Sequence, residues 1–125
     1  TSALQVKGGE STKGCWDATE GFSVTLPTQA SVNLCAMYSL GTIEFWYLDK
    51  GTESLFVRST TKREPKSYFA NVGKIATCDT GEWKHARIEL YGENIVYGFG
   101  KPTFFFKGNV KVRDISMKFY SFSIQ

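Results

Sequence analysis

The feature that most constrains this chain is its period. Apolar side chains recur at every second position in short runs, and no stretch sustains the 3.6-residue period of an amphipathic helix. The first run is FSVTL at 22–26, with Phe22, Val24 and Leu26 on one face and Pro27 ending it. ASVNLCAMY follows at 30–38, then TIEFWYLD at 42–49 and SLFVRS at 54–59. SYFANVGKIATC, at 67–78, reads as a strand interrupted at Gly73. EWKHARIELY (82–91), NIVYGFG (94–100), PTFFFKG (102–108) and VKVRDISMKFYSFSI (110–124) complete the set. Aromatic residues make up 15% of the chain, an excess that suits pleated, half-buried surfaces.

Turn chemistry separates the runs. Asp49-Lys50-Gly51-Thr52 predicts a hairpin joining 42–49 to 54–59, and Gly92-Glu93 predicts another joining 82–91 to 94–100. TTKREPKS, at 60–67, is polar, contains Pro65 and reads as the longest loop. A change of phase near Phe119-Tyr120 predicts a bulge or a split in the last run. Eight to ten short strands with a turn every 8 to 12 residues predict an all-β fold, an antiparallel, jelly-roll-like β-sandwich with little or no helix. At 125 residues and 42% apolar content, the chain is expected to form a single domain over 1–125.

Charge and cysteine content narrow the setting. A net charge of +3, with bases scattered among acids, does not call for nucleic acid. No apolar run approaches the roughly 18 residues of a membrane span. The chain begins TSALQV, without Met or a signal sequence, and is expected to be a processed protein or a module of a larger one. Cys15, Cys35 and Cys78 allow three different single bridges. The loop-like settings of Cys15 (KGCWD) and Cys78 (TCDTGE) favour a disulfide between them, with Cys35 a buried thiol; the alternative is no bridge at all. None of Asn33, Asn71, Asn94 and Asn109 begins an N-x-Ser/Thr sequon.

Catalytic readings lack parts. His85 is the only histidine, and the three cysteines have no close pair spacing, so neither a zinc site nor a Ser-His-Asp device is expected. Gly98-Phe99-Gly100-Lys101-Pro102 resembles a phosphate-binding loop but is followed by Pro and a Phe run instead of a helix, so it reads as a turn. No metal, no cofactor and no enzymatic activity are expected.

One constellation stands out. If Ile43, Phe45, Leu55, Val57, Ala86 and Ile88 point inward, alternation leaves Glu44, Trp46, Phe56, Arg58, Trp83, His85 and Arg87 outward. An indole stacks on the CH face of a sugar while Arg, Glu and His hydrogen-bond its hydroxyls. Glu44, Trp46, Arg58, Trp83, His85 and Arg87 are therefore the expected ligand-binding residues. The plainer alternative is that the tryptophans cover the core edge while Arg and Glu pair across strands. Arg58, Lys62, Arg63 and Lys66 read as a solvated loop or as contacts for an anion such as a sulfated glycan. Phe104-Phe105-Phe106 must place rings on both faces.

Four stretches in order, FSVTLPTQASVNLC, GTIEFWYLDKGTESLFVR, GEWKHARIELYGENIVYGFG and VRDISMKFYSFS, resemble the farnesoic acid O-methyltransferase-like domain over about residues 22–122. The resemblance implies an all-β accessory or recognition module of invertebrate proteins, and no catalytic residues carry over. The family's name implies methyl transfer, but a methyl-donor site of the usual kind needs a strand, a Gly loop and a helix. The expected function is non-enzymatic recognition in a secreted, extracellular protein, lectin-like and carbohydrate-binding, with a glycan or protein partner. The alternatives are a structural or protein–protein interaction domain, and a small transferase or esterase.

Overall fold

The computed structural model describes residues 2–11, 13–25, 39–63, 66–91 and 103–124, and none of these is helical. Among these residues nine strands run in order: β1 (Ser2–Ser11), β2 (Cys15–Asp17), β3 (Phe22–Thr25), β4 (Ser39–Leu48), β5 (Ser54–Arg63), β6 (Lys66–Ala76), β7 (Trp83–Tyr91), β8 (Thr103–Lys107) and β9 (Lys111–Ile124). They form two antiparallel sheets. One has the order β1-β9-β4-β7, with β2 pairing the other end of β9; the second has the order β3-β8-β5-β6. Successive strands alternate between sheets through much of the chain, which is the strand order of a jelly roll. The expected all-β sandwich is what the chain forms.

The two sheets meet through the residues that alternation turns inward. Ile43 and Phe45 of β4, Leu90 of β7 and Val112 of β9 are wholly buried, as are Leu55 and Val57 of β5 and Phe106 of β8. Phe45 meets Phe106 edge to face across the core, ring centroids 5.4 Å apart at 85°, and Phe22 stacks on Phe106 at 5.0 Å. Each such side chain contributes about 1.5–3 kcal/mol by leaving water. At the far edge β6 lies against β7 so closely that a Cβ on Gly73 would sit 2.5 Å from Ile88 Cδ1.

Strand pairing differs from the turn-based expectation in several places. β4 and β5 are not a hairpin. Both edges of β4 are occupied by β9 and β7, and those of β5 by β8 and β6, so the Asp49–Glu53 connection carries the chain from one sheet to the other. Asp49 decides this turn. Its buried carboxylate accepts hydrogen bonds from Cys78 N (2.7 Å) and Thr80 Oγ1 (2.7 Å) and pairs with Lys84 at 2.8 Å, binding the end of β4 to the segment before β7. The expected loop at 60–67 is largely strand: β5 and β6 pair as far as Arg63 and Lys66. β9 is a single strand. Its change of phase falls at Asp114, whose φ is 52°, opposite a register shift between Glu44 and Trp46. Opposite Phe119 and Tyr120 the irregularity lies on β1, between Val6 and Gly8. β1 and β2 were not expected from the alternation at all. The runs at 30–38 and 94–100, the turn after Tyr91 and Cys35 lie outside the described residues.

The expected Cys15–Cys78 disulfide is absent: both are free, exposed thiols. Cys15 is not in a loop but on β2, paired with Arg113 of β9, and β9 separates it from β4. Cys78 is held at the end of β4 by Asp49. Two strand spacings alone amount to about 10 Å, beyond the roughly 7 Å that a disulfide spans between Cα atoms.

Candidate functional site

The outer face of the five-stranded sheet is built in rows, because antiparallel pairing sets residues of like orientation side by side. One row runs Cys15, Arg113, Trp46, His85 across β2, β9, β4 and β7; the next runs Ser116, Glu44, Arg87. Trp83 pairs with Leu48 at the start of β7. Five of the six expected ligand residues (Glu44, Trp46, Trp83, His85 and Arg87) thus share one face.

At the centre of that face is a residue absent from the expected set. The Arg113 guanidinium carbon lies 4.4 Å from the centroid of Trp83 and 5.8 Å from that of Trp46, linking the two indoles by cation–π contact. Arg113 Nε is buried and has no hydrogen-bond partner among the described residues, while 41% of the side chain remains exposed. On the other flank of Trp46, His85 packs with ring centroids 5.2 Å apart. His85 Nε2 lies 4.0 Å from Glu44 Oε1, and Arg87 bridges Glu89 at 3.0 Å. Trp46 itself is 38% exposed, an unusual state for an indole in the middle of a sheet. Arg113 was within reach of the sequence: Val112 inward and Ile115 inward leave it outward, once Asp114 is recognised as a bulge.

Arg58 does not join this face. It lies on β5, in the other sheet, and points away from the core on the opposite side of the sandwich. Alternation places a side chain inside or outside but does not say which sheet it leaves from. Arg58 Nε donates to Asn71 Oδ1 at 3.1 Å, and its guanidinium carbon lies 5.8 Å from the Phe56 ring centroid.

Beside the first face, a cleft of about 170 Å³ opens between Asp17, Thr19, Leu48, Lys50, Asn109 and Lys111. Asp17 Oδ1 accepts from the Thr19 hydroxyl (2.6 Å) and the Thr19 amide (2.9 Å). These bonds, the hydroxyl's first, hold the Asp17 carboxyl below its usual range. Asp49 is held further below it, by Lys84 first and then by Thr80, and the same pair raises Lys84. That cluster is spent on joining the strands. Among the described residues, no three His, Cys, Asp or Glu side chains converge on a metal position.

The geometry suits reversible binding: one open indole, fixed cations, and carboxylates within a row's spacing. No protein-family model matches this chain, and no curated protein sequence matches it.

Proposed function

We propose that this domain is a non-enzymatic recognition module of an extracellular protein, and that the outer face of its five-stranded sheet binds a saccharide. The observation that carries the reading is the half-open Trp46, flanked by Arg113 and His85, with Glu44 and Arg87 in the adjacent row. A pyranose ring laid on the indole brings its hydroxyls within reach of donors on Arg113 and Arg87 and an acceptor on Glu44, the paired chemistry that vicinal hydroxyls take. Arg113 is positioned in advance by two indoles, so little side-chain entropy is lost on binding. The cleft at Asp17, Thr19 and Asn109 adds polar groups at the edge of the same sheet. Jelly rolls serve as lectin domains, and the resemblance to the farnesoic acid O-methyltransferase-like domain points to a recognition role as well, both by analogy of fold.

The test is a glycan array at fixed salt with the intact chain and Trp46→Ala. A preferred neutral glycan bound by the first, and bound at least about tenfold more weakly by the second with its melting temperature little changed, supports the reading. Equal binding by both, or no glycan bound, overturns it in favour of a structural or protein-interaction role for the face.

A further inference from the structure

The four-stranded sheet differs from its partner in charge. Its strands β3, β5, β6 and β8 contain Arg58, Lys62, Arg63, Lys66, Lys74 and Lys107 and not one Asp or Glu. The strands of the other sheet mix their bases with Glu10, Asp17, Glu44, Glu89 and Asp114. Among the described residues, Glu53 lies in the connection that enters β5. A modest net charge therefore conceals a one-signed sheet.

The described part of its outer face is specific. Lys107, Phe56 and Lys74 are cross-strand partners on β8, β5 and β6, and Phe105, Arg58 and Asn71 form the next row. Lys74 Nζ lies 5.7 Å from the Phe56 ring centroid, so Phe56 carries both Arg58 and Lys74. The register shifts between Val57 and Arg58, and a bulge of this kind turns a side chain to a new aim. Asn71 then fixes the guanidinium through Nε. By strand spacing, Lys74 and Lys107 stand about 10 Å apart across β5, with Arg58 about 7 Å further along it.

We infer that this face docks a sulfated polysaccharide, with Arg58 and Lys74 as the principal sulfate contacts and Lys107, whose Nζ donates to Thr19 O at 2.7 Å, adding positive charge beside them. The occupant follows from charge complementarity and from what the rings do. A strand of nucleic acid would need open rings on which bases stack. The Phe56 ring instead bears two cations, and Phe105 packs so closely over Gly21 that a Cβ there would overlap its ring. What the face offers is fixed positive charge on a flat surface, matched to anionic groups repeated along a chain. The inference concerns the opposite side of the molecule from Trp46 and does not depend on the saccharide reading of that face.

The experiment is heparin binding by the intact chain, measured by titration at several salt concentrations. Desulfated heparin, a single-stranded oligonucleotide of similar charge and phosphatidylserine vesicles serve as comparisons. The expected result is heparin binding that weakens steeply with salt, with desulfated heparin, oligonucleotide and vesicles all weaker. Arg58→Ala with Lys74→Ala should lower heparin affinity at least tenfold. Lys13→Ala with Lys118→Ala removes the same charge from exposed positions elsewhere and should lower it less than threefold. Trp46→Ala should leave it unchanged, which separates this site from the first. A circular dichroism spectrum and melting curve for each variant establish that it is folded, and Arg58→Lys should retain most of the binding. Absence of heparin binding overturns the inference, as do equal losses in the two double variants or tighter binding of the oligonucleotide or the vesicles.

Discussion

Replacing Gly73 by Ala tests how the two sheets are seated on each other. A Cβ at this position would lie 2.5 Å from Ile88 Cδ1 and 3.0 Å from its Cγ1. Carbon atoms in contact sit at about 3.5–4.0 Å, so the overlap is about 1 Å. Ile88 is 6% exposed, so relief requires an unfavourable rotamer or a separation of β6 from β7. Overpacking of this kind costs about 1–3 kcal/mol. The substitution also restricts the unfolded chain, which returns about 0.4–1 kcal/mol. The net loss is roughly 0.5–2 kcal/mol, or about 2–8 °C in melting temperature at about 4 °C per kcal/mol for a domain of this size.

Ile88→Val makes the prediction sharp, because it deletes the overlapping Cδ1. Alone it should cost about 0.5–1.5 kcal/mol. On the Gly73→Ala background it should cost less or restore stability, giving a coupling of about 1 kcal/mol in a urea-denaturation cycle. Restoration should be partial, since the atom at 3.0 Å remains as a methyl. Additivity within about 0.5 kcal/mol, or a Gly73→Ala protein more stable than its parent, would refute the close approach of β6 to β7.

Arg113→Ala should lose about 1–2 kcal/mol of stability, two cation–π contacts at about 0.5–1 kcal/mol each, and shift tryptophan emission; an unchanged spectrum and urea midpoint would contradict the indole contacts. Asp49 has a folded pKa below its unfolded value of about 4, so its stabilisation is present above that value and lost as pH falls below it. Asp49→Asn should therefore be less stable than the parent at pH 7, and the gap should narrow under acid titration; a constant gap down to pH 2 would contradict the Lys84 pairing. Cys15 and Cys78 should both react with a thiol reagent in the folded, unreduced protein, as peptide mapping would show; protection of either that is released by a reductant would restore the bridge.

Alternation identified much of the core because burial acts residue by residue. Ile43, Phe45, Leu55, Val57, Ala86 and Ile88 are inside for the reason their spacing implies. Pairing is a different matter. Asp49-Lys50-Gly51-Thr52 has hairpin chemistry, yet the buried Asp49 binds the 78–84 segment, and that long-range contact directs β5 into the other sheet. β1, with Lys7, Gly8, Gly9 and Glu10 in its sequence, has little alternation of its own and is strand because β9 offers it an edge. The thiols illustrate the same limit: KGCWD looks like a loop, and only pairing with β9 makes Cys15 a strand residue.

The jelly roll also explains why a chain with unremarkable charge carries two unlike faces. Because it sends neighbouring sequence segments to alternate sheets, residues adjacent in the chain end on opposite sides of the molecule, and residues far apart end side by side. Glu44 and Arg58 are close in sequence and face away from each other; Trp46 and Arg113 are far apart in sequence and touch. Charges that look evenly mixed along the chain are thereby sorted, with every acid of the described strands on one sheet. A face that mixes an open indole with both signs of charge can hold a neutral polar ring through paired hydrogen bonds. A face whose charges are all positive favours anions, and under the reading proposed above its affinity should fall with salt while that of the first face should not. Salt dependence therefore separates the two faces even before any residue is changed.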